Sequence, residues 1–189
     1  MPQTLYIKNM VCGRCILAVE EELARLGFPV MEIKLGEAVV TQIPDEEQLA
    51  EIKVSLNRIG FELIGDKKGQ IIENIKTIII EYIHYGSGIE APANLSEHLS
   101  KKIGSDYSYL SNLFSSVEGI TIEKYLIKQK IERVKELLVY GELSLKEISW
   151  ELGYSSVQHL STQFKKITGF SPSQFKKSRP VERKHLDQV

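Results

Sequence analysis

The second half of the chain repeats itself at a nearly constant spacing. Leu99 and Ile148 lie 49 residues apart, whereas Phe114 and Phe164 lie 50 apart. The same spacings relate further pairs, namely Gly104 with Gly153 at 49, and Leu110 with Leu160, Gly119 with Gly169, Thr121 with Ser171 and Tyr125 with Phe175 at 50. One inserted residue in the second copy accounts for the change in spacing from 49 to 50. Each copy has the layout of a helix, a glycine-containing turn, a second helix and a terminating glycine, which predicts two helix-turn-helix motifs.

The segment between the copies, 121–140, predicts one connecting helix. Its apolar side chains recur at helical spacing, at Ile127, Ile131, Val134 and Leu138. Such a helix spans about 30 Å, close to the roughly 34 Å between successive major grooves on one face of DNA. The connector therefore has a suitable length to hold two reading heads in adjacent grooves.

Capping patterns predict where the helices of the second copy begin. Ser144 with Glu147 has the form of a capping box, and Ser155 with Gln158 has the same form at the next helix. Trp150 lies on the first of these helices, and we expect it to pack against the core or the connector.

The first 65 residues predict a different, α+β structure. Residues 4–8 alternate apolar and polar side chains like a half-buried strand. The next predicted elements are a helix with an apolar stripe and two strands joined in a hairpin. A second helix, which begins with a capping box of Asp45 and Gln48, and a last strand follow them. The expected elements are the stripe of Ile16, Val19, Leu23 and Leu26, the strands 30–35 and 38–43, the helix after Asp45 and the strand 61–64. This order, βαββαβ, is that of a ferredoxin-like sandwich.

Both cysteines of the chain lie in the sequence Cys12-Gly13-Arg14-Cys15, on the predicted loop between the first strand and the first helix. The positive end of a helix dipole lowers a thiol pKa, so this loop would present two thiolates together. Soft thiolates select ions such as Cu(I) and Zn(II) over Mg²⁺. Two ligands suit Cu(I) or Ag(I), whereas a closed Zn(II) site requires four. A dithiol redox switch, or a scaffold whose thiols are incidental, are the alternative interpretations.

Two stretches of the first half resemble heavy-metal-associated domains of the copper-chaperone type. They are residues 10–15, Met-Val-Cys-Gly-Arg-Cys, and residues 60–62, Gly-Phe-Glu. The resemblance implies that Cys12 and Cys15 are metal ligands, with Met10 and Phe61 supporting the loop around them. The usual Gly-Met-Thr start of that family is Asn-Met-Val in this chain.

The second copy of the repeat resembles the signature of AraC-type regulators. The matching residues are Gly153-Tyr154, Phe164-Lys165-Lys166 and Gly169-Phe170-Ser171-Pro172, and the resemblance covers 70–177. It implies a transcription regulator that binds double-stranded DNA in two neighbouring major-groove segments, with the transcription machinery as a further partner. Family members usually carry an arginine on each recognition face, where this chain has Asn112 and Thr162.

A helical projection of each second helix predicts which side chains contact DNA. Leu160, Phe164 and Ile167 define the buried face of one helix, and Leu110, Leu113, Phe114 and Val117 define that of the other. The predicted DNA contacts lie opposite these faces, at Ser108, Asn112, Ser115, Ser116, Gln158, Thr162, Lys165 and Lys166. Asn and Gln can bind adenine through two hydrogen bonds, and lysines suit phosphate. The alternatives are an ordinary solvated face and a capping role for Gln158.

The charge of the chain supports this division. The net charge of the 189 residues is -1, but it is unevenly distributed. Residues 1–65 carry 6 basic and 10 acidic side chains, and the remainder carries 18 basic and 15 acidic ones.

No apolar run is long enough to cross a bilayer, and the N-terminus lacks the pattern of a signal peptide, so we expect a cytoplasmic protein without a membrane partner. No nucleophile with a base and no phosphate-binding loop stands out, so an enzyme is not expected.

These observations give one organisation. We expect a heavy-metal-associated domain of ferredoxin-like fold over 1–65, an all-α double helix-turn-helix domain over 66–180, and a polar tail over 181–189. The expected function is sequence-specific transcription regulation that responds to Cu(I), or to Ag(I) or Zn(II), bound by the thiolates. The alternatives are a metal-handling protein, or a regulator whose first domain is a redox or protein-interaction module.

Overall fold

The structure is a computed structural model that describes residues 2–85 and 95–178. The described residues form two compact units, one of 2–78 with 95–113 and the other of 79–85 with 114–178. The predicted polar tail, 181–189, lies outside the described residues. Within the described residues, no helix has the length and apolar composition needed to span a membrane.

The first unit contains a four-stranded sheet with two helices in the order βαββαβ. Its elements are β1 (Gln3–Lys8), α1 (Gly13–Arg25), β2 (Val30–Lys34), β3 (Glu37–Val40), α2 (Glu46–Arg58) and β4 (Glu62–Ile64). The strand order is β2-β3-β1-β4, and every neighbouring pair is antiparallel. These strands and helices are the ones that the sequence predicts, with shifts of a few residues at their ends, while the assignment to the ferredoxin-like fold stays a prediction.

The core of this unit lies between the sheet and the two helices. Ile7 from β1, Val19 and Leu23 from α1, and Ile52 and Leu56 from α2 are fully buried. Burial of such side chains stabilises the fold by about 1.5 to 3 kcal/mol each. The alternation in β1 and the helical stripe of α1 therefore identify true core faces.

The local signals at α2 and β3 had different outcomes. The capping box of α2 is confirmed, because the Asp45 carboxylate accepts from the Gln48 amide at 2.9 Å and Gln48 Oε1 accepts from the Asp45 amide at 3.0 Å. The predicted extent of β3 to residue 43 is wrong, since the strand ends at Val40 and Ile43 is exposed. Val40 pairs with Gln3 of β1 and Val30 of β2, and each of these residues is preceded by a proline, Pro2 or Pro29, which has no N–H to extend the ladder.

The remaining elements are helical. They are α3 (Lys67–Ile80), a π-helical turn (Glu81–Tyr85), α4 (Leu95–Ile103), α5 (Tyr107–Glu118), α6 (Ile122–Tyr140), α7 (Leu145–Glu151), α8 (Val157–Thr168) and α9 (Pro172–Ser178). The predicted connector is confirmed as α6, with Thr121 as its N-cap accepting from the Lys124 amide at 3.2 Å. The capping box of α7 is also confirmed, with Ser144 and Glu147 as its partners.

The two copies of the repeat are packed in the same way. The Phe114 ring meets the Tyr125 ring edge-on at 5.5 Å, and Phe164 meets Phe175 edge-on at 5.4 Å. The turn glycines, Gly104 and Gly153, also share a left-handed backbone, with φ of +73° and +67°. Since glycine adopts this region without steric cost, the shared spacing of these residues reflects a shared turn.

Three predictions in this half were wrong. Val117 and Ile167 do not belong to the buried faces, because they are 57% and 43% exposed. They occupy the last turns of α5 and α8, which extend beyond the buried core. Trp150 does not pack, since it is 85% exposed. The N-cap of α8 is Ser156, which accepts from the His159 amide at 3.1 Å, and not Ser155.

Candidate functional site

The second head places its predicted contacts on the exposed face of α8. Leu160 and Phe164 anchor the helix, as both are fully buried. The four predicted contacts on this helix are all exposed, namely Gln158, Thr162, Lys165 and Lys166. Gln158 is not the capping partner, because Ser156 and the His159 amide make that bond. Its amide therefore lies on the same exposed surface as the two lysines.

The first head presents the equivalent face of α5. Leu110 and Phe114 are fully buried, as their counterparts 50 residues later are. Ser108, Asn112 and Ser116 are exposed, and Ser115 is half-buried. The structure thus groups the eight predicted residues into two matched faces, while DNA contact by each of them stays a prediction.

Each face includes one exposed ring that the helical projection missed. These rings, Tyr109 and His159, are 50 residues apart and occupy equivalent places on α5 and α8. His159 Nδ1 lies 3.1 Å from the Ser155 hydroxyl, and its ring meets the Tyr154 ring edge-on at 5.5 Å. These contacts hold the imidazole in a defined orientation. Applying the 50-residue offset of the repeat to every exposed position of the two helices would have found this pair.

Tyr154 braces the turn that precedes α8. Its hydroxyl donates to Gln163 Oε1 at 2.7 Å, and Lys130 Nζ of α6 lies 5.3 Å from the centre of its ring. Burial raises the pKa of Tyr154 to about 12, so the hydroxyl stays protonated and can donate at neutral pH. Burial also lowers the pKa of Lys130. The turn, the connector and α8 are therefore linked through this one side chain.

The two cysteines form a pair at the start of α1. Their Sγ atoms lie 3.3 Å apart, and both residues are half-buried. Cys12 is the N-cap residue, and its carbonyl accepts from the amides of Cys15 at 3.0 Å and Ile16 at 3.3 Å. The Cys12 thiol makes no capping hydrogen bond. Both thiols are therefore presented together at the positive end of a helix, as the spacing predicts.

The two thiols differ in acidity. At Cys12, burial acts to raise the pKa, but hydrogen bonds from Cys15 and Arg14 together with the Arg14 charge outweigh it and lower the pKa overall. At Cys15, burial raises the pKa, and the neighbouring Cys12 thiol adds to the rise. Cys12 is thus the thiol that ionises first and the better first ligand or nucleophile.

The supporting residues named by the resemblance lie in the core beneath this pair. Met10 and Phe61 are both buried in the cluster against which Cys15 packs. Asn9 has a left-handed backbone, with φ of 73°, and its side-chain amide donates to the Gly60 carbonyl at 3.0 Å. This bond ties the cysteine loop to the segment before β4.

The donor set at this pair consists of two sulfurs. Within 2–85 and 95–178, no cluster of three or more His, Cys, Asp or Glu side chains is arranged to hold a metal ion. Two thiols side by side fit a soft ion with few protein ligands better than a closed Zn(II) site.

Comparison with known proteins finds similar proteins for much of the helical half. Residues 99–178 match the family model of a helix-turn-helix domain. The HTH-type transcriptional regulator YdiP of Escherichia coli K12 is 36% identical over 81 residues, which are 43% of this chain and 27% of the relative. The Msm operon regulatory protein of Streptococcus mutans is 31% identical over 106 residues, which are 56% of this chain and 36% of the relative.

A similar solved structure is the C-terminal domain of AraT, a response regulator from Geobacillus stearothermophilus. It is 27% identical, with a TM-score of 0.49, and the match covers 62% of this chain and 92% of that domain. The chain spans about a quarter to a third of the length of the two curated relatives named above. The model match and these relatives show that residues 99–178 are similar to the helix-turn-helix domains of bacterial transcription regulators.

Proposed function

We propose that this protein is a sequence-specific, DNA-binding transcription regulator whose affinity for DNA responds to a soft metal ion held by Cys12 and Cys15. The DNA-binding part rests on one observation above all. Two equivalent helices, α5 and α8, present polar faces with the same 50-residue offset inside a domain of the DNA-binding type. Amide and hydroxyl side chains on such faces suit base edges, and lysines suit phosphates.

The metal part rests on the chemistry of the thiol pair. Two half-buried sulfurs 3.3 Å apart, one of them with a lowered pKa, match the preference of Cu(I) and Ag(I), with Zn(II) as a further candidate. The strand order β2-β3-β1-β4 and the buried Met10 and Phe61 support a ferredoxin-like, heavy-metal-associated domain. A bound ion would supply a positive charge at this loop and hold the two sulfurs together.

Metal binding changes DNA affinity only if the ion binds the DNA-bound and free forms with different affinity. The coupling is then reciprocal, so DNA must change metal affinity by the same factor. This reciprocity gives a test that does not depend on transcription.

The experiment measures affinity of the full chain for a selected DNA site by fluorescence anisotropy at fixed salt, because phosphate contacts make affinity salt-dependent. The reduced, metal-free protein is compared with protein given one equivalent of Cu(I). We expect a change in affinity that disappears in Cys12→Ser/Cys15→Ser. Gly13→Ala is the matched loop control, since a Cβ at Gly13 meets no atom within 4 Å.

Three results would overturn parts of the proposal. Tight, selective DNA binding whose affinity does not change with Cu(I) would overturn the metal response. The protein would then be a regulator whose first domain has another role. Copper binding and transfer without selective DNA binding would instead indicate a metal-handling protein. Loss of the copper effect in Gly13→Ala as well would show that the loop, and not its thiols, carries the response.

A further inference from the structure

The two recognition helices carry different charges on matched positions. On α8, Lys165 and Lys166 are exposed, and α8 contains no acidic residue. The residues 50 positions earlier on α5 are Ser115 and Ser116. The only charged residue of α5 is Glu118, at its last position. The formal charge is therefore +2 on α8 and -1 on α5.

The helix that follows each recognition helix shows a smaller difference, since the seven residues of α6 that correspond to α9 carry Lys124, Lys128 and Glu123. Lys176 and Lys177 are exposed on α9. Their counterparts 50 residues earlier are Leu126 and Ile127 of α6, which are half-buried. Four lysines of the second copy thus replace four uncharged residues of the first.

The first copy also carries exposed lysines, but outside its recognition helix. Lys124 lies in the first turn of α6, and Lys101 and Lys102 lie in the last turn of α4, where the second copy has Trp150 and Glu151 at the spacing of 49. In a helix-turn-helix the first helix crosses the DNA backbone, and the second enters the major groove. In this arrangement the exposed face of α5 would offer the groove only amide and hydroxyl groups.

We propose that the two heads contribute differently to DNA binding: the second anchors the chain to any DNA through the lysines of α8 and α9, and the recognition helix of the first contributes only at matching bases. This inference rests on the proposed DNA-binding function. Phosphate contacts supply most of non-specific affinity and set its salt dependence. Uncharged hydrogen-bonding side chains add affinity only where base edges complement them.

The test uses three variants of the full chain on a selected site and on a scrambled duplex, each titrated over a range of salt. Lys165→Gln/Lys166→Gln should weaken binding to both duplexes and reduce the salt slope by about 1.8, since each phosphate contact contributes about 0.9. Ser108→Ala/Asn112→Ala should lose about tenfold or more in affinity for the selected site alone, with the salt slope unchanged. Ser115→Lys/Ser116→Lys, which gives α5 the lysines of α8, should raise affinity for the scrambled duplex.

The outcomes separate this inference from the proposed function. A wild-type protein without any preference for the selected site would overturn the proposed function. A selective wild type in which Ser108→Ala/Asn112→Ala weakens both duplexes equally, or lowers the salt slope, would overturn the division between the heads and leave the regulator intact. An unchanged salt slope in Lys165→Gln/Lys166→Gln would overturn it as well.

Discussion

At the scale of single residues, Glu22 shows how one carboxylate joins the two helices of the first unit. Both its oxygens accept from the Arg25 guanidinium, at 2.7 and 3.0 Å, and the buried Ser55 hydroxyl of α2 donates to one of them. Arg25 also donates to Ser55 Oγ at 2.8 Å. The bonds from Arg25, then those from Ser55, lower the pKa of Glu22 to about 2.

This lowered pKa predicts a pH dependence of stability. An unfolded glutamate has a pKa of about 4.3, so the contribution of Glu22 is complete above that pH and is lost as pH falls toward about 2. We expect Glu22→Gln to reduce the loss of unfolding free energy between pH 5 and pH 2.5, measured by urea denaturation. Glu21→Gln, one exposed position away, is the matched control. Equal pH profiles for the two variants would contradict the assigned role.

Trp150 offers a spectroscopic check at the same scale. It is the single tryptophan of the chain and is 85% exposed on α7. We predict that the folded protein emits at the wavelength of a solvated indole and is quenched efficiently by iodide. A blue-shifted emission that is protected from iodide would show that the indole packs, as the sequence alone had indicated. Helical spacing could not predict whether Trp150 is buried, because α7 has only seven residues. The two residues that precede Trp150, Ile148 and Ser149, are buried.

At the scale of elements, the connector helix α6 buries charges that its sequence gave no reason to expect. Glu132 and Lys135 are 7% and 8% exposed, and their side chains form a salt bridge of 2.7 Å. Apolar periodicity correctly identified Ile131 and Val134 as core residues. It could not identify the ion pair, because charged side chains on a helix are ordinarily solvated and their burial depends on the tertiary packing around them.

This ion pair predicts a large and asymmetric mutational effect. Lys135→Ala leaves the Glu132 carboxylate buried without its partner, which costs about 3 to 5 kcal/mol. The double variant Glu132→Leu/Lys135→Leu removes both charges and should recover most of that loss. Urea denaturation followed by circular dichroism measures both variants. A double variant as unstable as the single one would show that the aliphatic stem of Lys135, and not its charge, matters.

Elements with strong periodic or capping signals were the most predictable. The capping boxes at Asp45 and Ser144 define helix starts because their hydrogen bonds involve residues only three positions apart. The last turns of α5 and α8 were less predictable. Val117 and Ile167 continue the apolar stripe in sequence, but the core they would join ends before them. The repeat made this error appear twice, at equivalent positions.

At the scale of the whole molecule, the internal repeat predicted more than composition did. The net charge of -1 argues against a nucleic-acid partner, whereas the repeat and its local charges favour one. The two polar faces followed from the positions of Leu110, Phe114, Leu160 and Phe164. The helical projection did not identify Tyr109 and His159, because both side chains combine a polar and an apolar part and so do not by themselves indicate a buried or an exposed face. Which bases each face recognises depends on contacts with DNA that a sequence does not encode as a pattern.

The central claim is that the matched faces of α5 and α8 recognise DNA sequence, and a binding-site selection with the full chain tests it most directly. The account predicts that random duplexes converge on a defined site and that Gln158→Ala/Thr162→Ala flattens the preference at the positions that α8 reads. Lys146→Ala, an exposed change on α7, is the control and should leave the site unchanged. Failure of the wild type to enrich any sequence, or an unaltered preference in Gln158→Ala/Thr162→Ala, would contradict the account.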